Sequence, residues 1–90
     1  MPSLRIPTPL RSYTAGKSEV DLQGTTVAEM MQDLVVQYPA IQPHLFNSNH
    51  ALRPFVNIFL GEDNIKDLQG MDTPLESDDR LLLIPSIAGG

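Results

Sequence analysis

The residues of this sequence that are best placed to do chemistry close the chain: Ile87, Ala88, Gly89 and Gly90. Glycine has no β-carbon, so its backbone can pass along a narrow channel and adopt conformations that other residues avoid. The reactive group at the end of such a segment is the free carboxylate of Gly90. The pattern predicts an extended C-terminal tail, residues 86–90, that enters a partner enzyme and presents Gly90 there. A frayed end without function is the alternative.

Four other residues have side chains that could do chemistry, but their spacing argues against it. His44 and His50 lie in a polar connection without an acidic residue at helical spacing, which is a weak metal signal. Asp78 and Asp79 are adjacent and precede an apolar segment, which is typical of a solvated turn and not of paired catalytic carboxylates. The sequence has no P-loop, dinucleotide-binding motif or nucleophile elbow. We therefore predict no catalytic residue, no metal site and no bound cofactor.

The composition excludes several classes of function. Six Lys and Arg against eleven Asp and Glu give 90 residues a net charge of −5, which disfavours binding to nucleic acid. The absence of cysteine excludes disulfides, thiolate metal sites and thiol nucleophiles. Neither a signal peptide nor a membrane-spanning apolar run is found, so we expect no membrane association and a cytoplasmic protein.

The first half of the sequence predicts two strands and a helix. Leu4 and Ile6 alternate with polar residues before Pro7, and Val20–Leu22 follows turn residues 15–18, so the two segments should pair as a hairpin. Thr26-Val27-Ala28-Glu29 fits a capping box, with Thr25 as a competing cap. One apolar stripe then runs to Pro39, through Val27, Met30, Met31, Leu34, Val35 and Tyr38.

The second half predicts a long connection and three strands. Residues 40–54 lack periodicity and read as a surface connection with room for one helical turn at 44–46. A strand over 55–60 should be followed by a turn over 61–64 and a short strand at Ile65–Asp67. Residues 80–84 are apolar at successive positions from Leu81 to Ile84, as expected of a central strand that is covered on both faces.

These elements predict an α+β domain spanning residues 1–90, with a mixed sheet of four to five strands packed on one main helix. The helix joins two hairpins, and the last apolar strand fits between the first and third strands. This is the β-grasp, or ubiquitin-like, arrangement.

Three features together carry a family resemblance: the strand order, the Phe55-Val56-Asn57-Ile58 strand and the ending from Ile84 to Gly90. In these features the sequence resembles the ThiS/MoaD family of ubiquitin-like sulfur carrier proteins. The segment Ile6-Pro7-Thr8-Pro9-Leu10-Arg11 and the tail look most like the carriers of cysteine synthesis. The small subunit of molybdopterin synthase comes next. Thiazole-synthesis carriers come third, because they are typically shorter and lack a connection as long as residues 40–54.

The resemblance implies a carrier and not an enzyme. In the family, a ubiquitin-activating-type enzyme uses ATP to adenylate the terminal glycine, here Gly90, which is then converted to a thiocarboxylate. A sulfur-accepting synthase would take the sulfur, and ATP would be consumed by the partner. The alternative is a noncovalent ubiquitin-like interaction module.

The strand pattern also predicts a partner-binding face. If Leu81 and Leu83 point at the helix, Leu82 and Ile84 point to the opposite side of the sheet. The same alternation places Phe59 outward on the third strand. We expect Phe59, Leu82 and Ile84 to bind a partner, unless the tail base or a loop covers them.

Seven of the eleven acidic residues fall within residues 62–79. This asymmetry could steer a basic partner, but solvated acidic loops are common, and the sequence leaves both interpretations open.

Overall fold

A computed structural model describes residues 1–85, and these residues form five strands and two α-helices. The strands are β1 (Ser3–Arg5), β2 (Glu19–Asp21), β3 (Val56–Leu60), β4 (Asp63–Asn64) and β5 (Arg80–Pro85), and the helices are α1 (Val27–Gln37) and α2 (Gln42–Leu45). Short 3₁₀ segments occupy Thr8–Thr14, Pro39–Ile41, Ile65–Asp67 and Gly70–Asp72.

The strands form one mixed sheet in the order β2-β1-β5-β3-β4. β5 pairs in parallel with β1, where Leu4 lies opposite Leu81, and antiparallel with β3, where Ile58 lies opposite Leu83. The prediction of a late apolar strand at the centre of the sheet is therefore confirmed. β5 pairs with β1 through Arg80–Leu82 and with β3 through Leu81–Pro85, so its C-terminal end at Pro85 is held by β3.

The core lies between one face of the sheet and α1. The residues of this layer are fully or almost fully buried: Leu4, Val20, Val56, Ile58, Leu81 and Leu83 from the sheet, and Val27, Met30, Met31 and Leu34 from the helix. Each such side chain contributes about 1.5–3 kcal/mol when removed from water. The predicted apolar stripe of α1 is less buried toward the end of the helix, where Val35 and Tyr38 are only partly buried.

The start of α1 is a variant of the predicted capping box. The Thr26 hydroxyl accepts from the Glu29 backbone N–H at 3.2 Å, as predicted. The Glu29 carboxylate, however, does not return to the Thr26 N–H but accepts from the backbone N–H and the hydroxyl of Thr25, at 2.9 and 3.0 Å. These hydrogen bonds stabilise the charged carboxylate, and they lower the pKa of Glu29, the backbone bond from Thr25 contributing most.

Gly24 allows α1 to lie close to the end of β2. Its φ is +151°, and a β-carbon at this position would lie 2.6 Å from the backbone nitrogen of Met30. A side chain here would force the helix away from the sheet.

The prediction of a strand at Ile65–Asp67 is wrong. β3 and β4 are joined by a tight turn at Gly61 and Glu62, so the strand partner of Leu60 is already Asp63. The Asn64 side chain then accepts from the Lys66 backbone N–H at 3.0 Å, which starts a 3₁₀ turn. Ile65 is buried in the core by this turn and not by strand pairing.

The connections also differ from the prediction in detail. β1 and β2 are antiparallel as expected, but Thr8–Thr14 of the link between them is a 3₁₀ helix and not part of a simple turn. The predicted helical turn at 44–46 lies slightly earlier, as α2. Within residues 1–85, no helix is long and apolar enough to cross a membrane.

Candidate functional site

The end of β5 is the structural feature that places the predicted tail. Pro85 is the last residue of the strand and pairs with Val56 of β3. The predicted tail residues Ile87, Ala88, Gly89 and Gly90 lie outside the described residues. What the structure describes is the surface around Pro85, the residue before this segment.

The face of the sheet opposite α1, here called the outer face, is defined by Phe59, Leu82 and Ile84. Leu82 and Ile84 are 37% and 39% exposed, while Leu81 and Leu83, which alternate with them, are buried. Phe59 lies opposite Leu82 in the β3–β5 ladder but is half-buried, so it contributes less open surface. The structure thus places all three side chains together, and their role in binding a partner stays a prediction.

Two grooves meet at the end of β5 and share Pro9 and Pro85 as walls. The first, the β1 groove, has a volume of about 430 Å³. The second, the β3 groove, has a volume of about 370 Å³. The β1 groove is lined by Arg5, Ile6, Pro7, Thr8, Pro9, Arg11 and Leu82–Pro85, and the β3 groove by Pro9, Leu10, Pro43, His44, Arg53, Phe55 and Pro85.

Two arginines of these grooves are held by the backbone. The Arg11 Nε donates to the Ile6 carbonyl at 3.0 Å, and the Arg53 Nε donates to the Pro43 carbonyl at 3.0 Å. Both side chains are half-buried. A guanidinium fixed through Nε still has its terminal N–H groups, which form a planar fork suited to carboxylates. Sequence reasoning assigned neither residue a binding role: Arg11 was considered only as part of the segment 6–11 that carries the family resemblance, and Arg53 lies in the connection 40–54, which has no motif.

Phe55 is a further residue of this region that sequence reasoning did not single out. It precedes β3, is 37% exposed and lines the β3 groove beside Pro85. The signal was present in the sequence, because the residue before a strand that pairs with the end of β5 must lie near the start of the tail.

The two histidines lie in different grooves. His44 stacks on Tyr13 with ring centroids 4.2 Å apart and lines the β3 groove. His50 is in a loop with its φ at +61°, 3.3 Å from the Gln42 amide, and lines a third groove of about 490 Å³ against α1. Among residues 1–85, no three His, Asp or Glu side chains come together as metal ligands.

Asp78 and Asp79 lie at the opposite end of β5, in the turn that the sequence predicted. The Asp79 carboxylate accepts from the Glu76 backbone N–H at 2.8 Å, and the Asp79 carbonyl accepts from the Ser3 N–H at 3.0 Å. These bonds give Asp79 a local structural role.

A sequence profile described as the ThiS family matches residues 4–90. The chain belongs to the ThiS family. Sulfur carrier protein CysO of Mycobacterium tuberculosis is 31% identical to this ThiS-family chain over 90 residues, covering 98% of it and 97% of the relative.

Solved structures agree with the family assignment. The crystal structure of the Amycolatopsis orientalis BexX/CysO complex contains a chain that is 28% identical, with a TM-score of 0.89 and full coverage of both chains. Small archaeal modifier protein 1 of Methanosarcina acetivorans is 27% identical, with a TM-score of 0.87 over 99% of this chain and 95% of the other. The predicted β-grasp fold and the resemblance to ubiquitin-like sulfur carriers are confirmed.

The geometry of this ThiS-family chain fits a docking surface better than a reaction centre. The grooves beside Pro85 are lined mainly by apolar side chains and arginines, and within residues 1–85 no Asp or Glu lines them. The anchored arginines have no carboxylate partner among the described residues. The surface around Pro85 is thus an apolar outer face beside two preformed grooves.

Proposed function

We propose that this chain is a sulfur carrier that holds sulfur as a thiocarboxylate on Gly90. The observation that carries the proposal is the ThiS-family match over residues 4–90, which includes the terminal glycines. The architecture supports it, since a central strand ends at Pro85 and five residues follow in the sequence. Five residues span at most about 18 Å, so Gly90 can react inside a partner while the folded domain stays outside.

The reaction would proceed in two steps on the partner. A carboxylate oxygen of Gly90 attacks the α-phosphorus of ATP, which forms an acyl-adenylate and releases pyrophosphate. A sulfide-level sulfur nucleophile then attacks the acyl carbon and releases AMP, which leaves a thiocarboxylate. The partner of the first step is an adenylating enzyme of the ubiquitin-activating type, and ATP is its substrate. The carrier supplies the reacting carboxylate and the surface that positions it.

The sulfur would pass to a sulfur-accepting synthase. Cysteine synthesis is the favoured pathway, because curated relatives over the whole chain are CysO sulfur carriers. Molybdenum cofactor synthesis is second and thiamin synthesis third. The outer face and the grooves beside Pro85 are the surface that these partners would contact.

The second candidate is a noncovalent ubiquitin-like interaction module. The exposed apolar side chains of Leu82 and Ile84 favour binding of a protein partner but do not require chemistry at the tail. Such a module would tolerate loss of Gly89 and Gly90, whereas a carrier would not.

Intact-mass measurement separates the two. With ATP, the adenylating enzyme and sulfide, the mass of the chain should rise by the difference between one sulfur and one oxygen atom, and fragmentation should place the change at Gly90. Deleting Gly90 shortens the reach by about 3.3 Å and should abolish the gain, since positional errors near 1 Å can cost about a hundredfold in rate.

The control is a chain with one alanine added after Gly90, which keeps every native residue but makes the glycine carbonyl an amide. It should also fail to react, while all three proteins melt at the same temperature. An undiminished mass gain in the deletion variant, or no gain in the intact chain while the partner consumes ATP, would overturn the carrier function in favour of the interaction module.

A further inference from the structure

Two half-buried arginines and a group of acidic residues lie at opposite ends of the sheet. Arg11 and Arg53 lie in the two grooves beside Pro85, at the end of β5. The acidic residues Asp78 and Asp79 precede the start of β5, and Glu62 and Asp63 follow the end of the antiparallel β3. The two ends are separated by the length of β5, about 17 Å.

This separation matters because the chain as a whole is acidic, with a net charge of −5. At physiological ionic strength the Debye length is about 8 Å, so charges about 17 Å apart across solvent are largely screened from each other. The distant acidic residues therefore weaken the positive potential of the arginines only slightly. A partner that contacts the surface around Pro85 is attracted or repelled mainly by these arginines. Glu62, Asp63, Asp78 and Asp79 lie at the end of the sheet away from the grooves. Whether the acidic segment 62–79 steers a partner stays a prediction.

The arginines are arranged for recognition and not for internal ion pairing. Each is fixed by one Nε bond to a backbone carbonyl, and neither has a carboxylate partner within residues 1–85. No Asp or Glu lines the β1 or β3 groove in the described part of the chain. Arg5, in contrast, is exposed and lies opposite the acidic residue Glu19 in the β1–β2 ladder.

We propose that Arg11 and Arg53 bind carboxylate side chains at the mouth of the adenylating enzyme's channel, one on each side of the entering tail. The positive charge of the two arginines is complementary to acidic side chains on the partner. A guanidinium that is already held at Nε loses less conformational entropy on pairing with a carboxylate than a free arginine side chain would. The apolar outer face next to the β1 groove continues the same contact surface through Leu82 and Ile84. The inference rests on the proposed function and names the chemistry of that partner's surface.

The test uses ATP–pyrophosphate exchange by the adenylating enzyme, with the full-length chain as the varied substrate. Arg11→Glu and Arg53→Glu should each raise KM about tenfold or more and leave kcat unchanged, because the arginines act in docking. The matched control is Arg80→Glu, an exposed residue at the opposite end of β5 with the same change in net charge. It should change KM less than about twofold.

Salt dependence gives a second readout. Raising the ionic strength from roughly 0.05 to 0.3 M should raise KM for the native chain and for Arg80→Glu, since the attraction is screened. For the Arg11→Glu/Arg53→Glu double variant, KM should stay level or fall. If the glutamate variants are poorly folded, Arg11→Gln and Arg53→Gln keep a side-chain N–H donor for Ile6 and Pro43 without the charge, and each should raise KM severalfold.

Equal KM values for the Arg11, Arg53 and Arg80 variants would overturn the arginine contact while leaving the carrier function intact. A KM that falls with salt for the native chain would show a repulsive encounter and would also overturn it. A native chain that supports no exchange and gains no sulfur would overturn the proposed function itself, and the arginine contact with it.

Discussion

The ionisation of Glu29 is linked to folding through its hydrogen bonds. Its carboxylate holds the N–H and hydroxyl of Thr25 just before α1, and these bonds lower its pKa below the ordinary value of 4.5. A carboxyl with a lowered folded-state pKa stabilises the fold above the unfolded pKa, and this contribution is lost as the pH falls through the folded-state pKa.

We therefore expect the Glu29→Gln variant to lose less stability than the native chain as the pH falls. Between neutral pH and about pH 3, the urea midpoint of the native chain should fall more than that of Glu29→Gln, because only the native side chain takes up a proton there. Glu62→Gln, an exposed change in the β3–β4 turn, is the matched control and should follow the native curve. Identical acid curves for both variants would contradict this role of Glu29.

Adjacent residues of β5 perform different tasks because the strand has a core face and an outer face. Leu83 is fully buried and Leu82 is 37% exposed, although both are leucines in one strand. Leu83→Asp should lower the free energy of unfolding by about 4 kcal/mol or more, because a charge would be buried without a partner. Leu82→Asp should melt close to the native chain but raise KM in the exchange assay.

Val36→Asp is the control for the outer face, since Val36 on α1 is 72% exposed and far from β5 in the sequence. It should affect neither melting nor exchange. If Leu82→Asp is bound as well as Val36→Asp, the outer face is not the docking surface.

Sequence periodicity correctly predicted the elements in which an apolar pattern repeats. In the helix α1 and in the strand β5, several apolar residues indicate the same element, and both elements were placed correctly. Ile65 had only its own apolar character, and a buried Ile in a 3₁₀ turn looks the same in sequence as one in a short strand. Its placement depended on the tight turn at Gly61 and on the Asn64 cap.

The strand order followed from the sequence, but the contacts that the connecting segments make with the end of β5 did not. Arg11 and Arg53 are 42 positions apart in the sequence, yet both line grooves against Pro85. The parallel pairing of β1 with β5 and the antiparallel pairing of β3 with β5 bring them there. The predicted Gly90 and its tail followed from residue type and family resemblance, and they remain predictions.

Residues 1–85 share one hydrophobic core, and both halves of the sequence contribute to it. Leu34 of α1 is fully buried with Leu4, Ile58 and Leu83 of three strands in the same cluster. No part of this layer has a separate core on which to remain folded, which favours a two-state transition.

Leu34→Ala should therefore lower the stability of helix and sheet together, by about 2–5 kcal/mol. Unfolding followed by far-ultraviolet circular dichroism and by tyrosine fluorescence should give coincident midpoints in the native chain and in the variant. Tyr13 and Tyr38 both pack against the core, and the sequence has no tryptophan. Separate midpoints would show an independently stable substructure.

The central position of β5 has a consequence for how the protein is made. During translation, β5 is the last strand to leave the ribosome. Until it does, β1 and β3 lack the strand that lies between them in the sheet, and the edges that pair with β5 are unpaired. Unpaired strand edges promote aggregation and recognition by chaperones. Because the sheet closes only when β5 arrives, a chain that stops short of residue 80 cannot display the folded docking surface. Under the proposed function, products that end before β5 would therefore not compete with the full-length carrier for the adenylating enzyme.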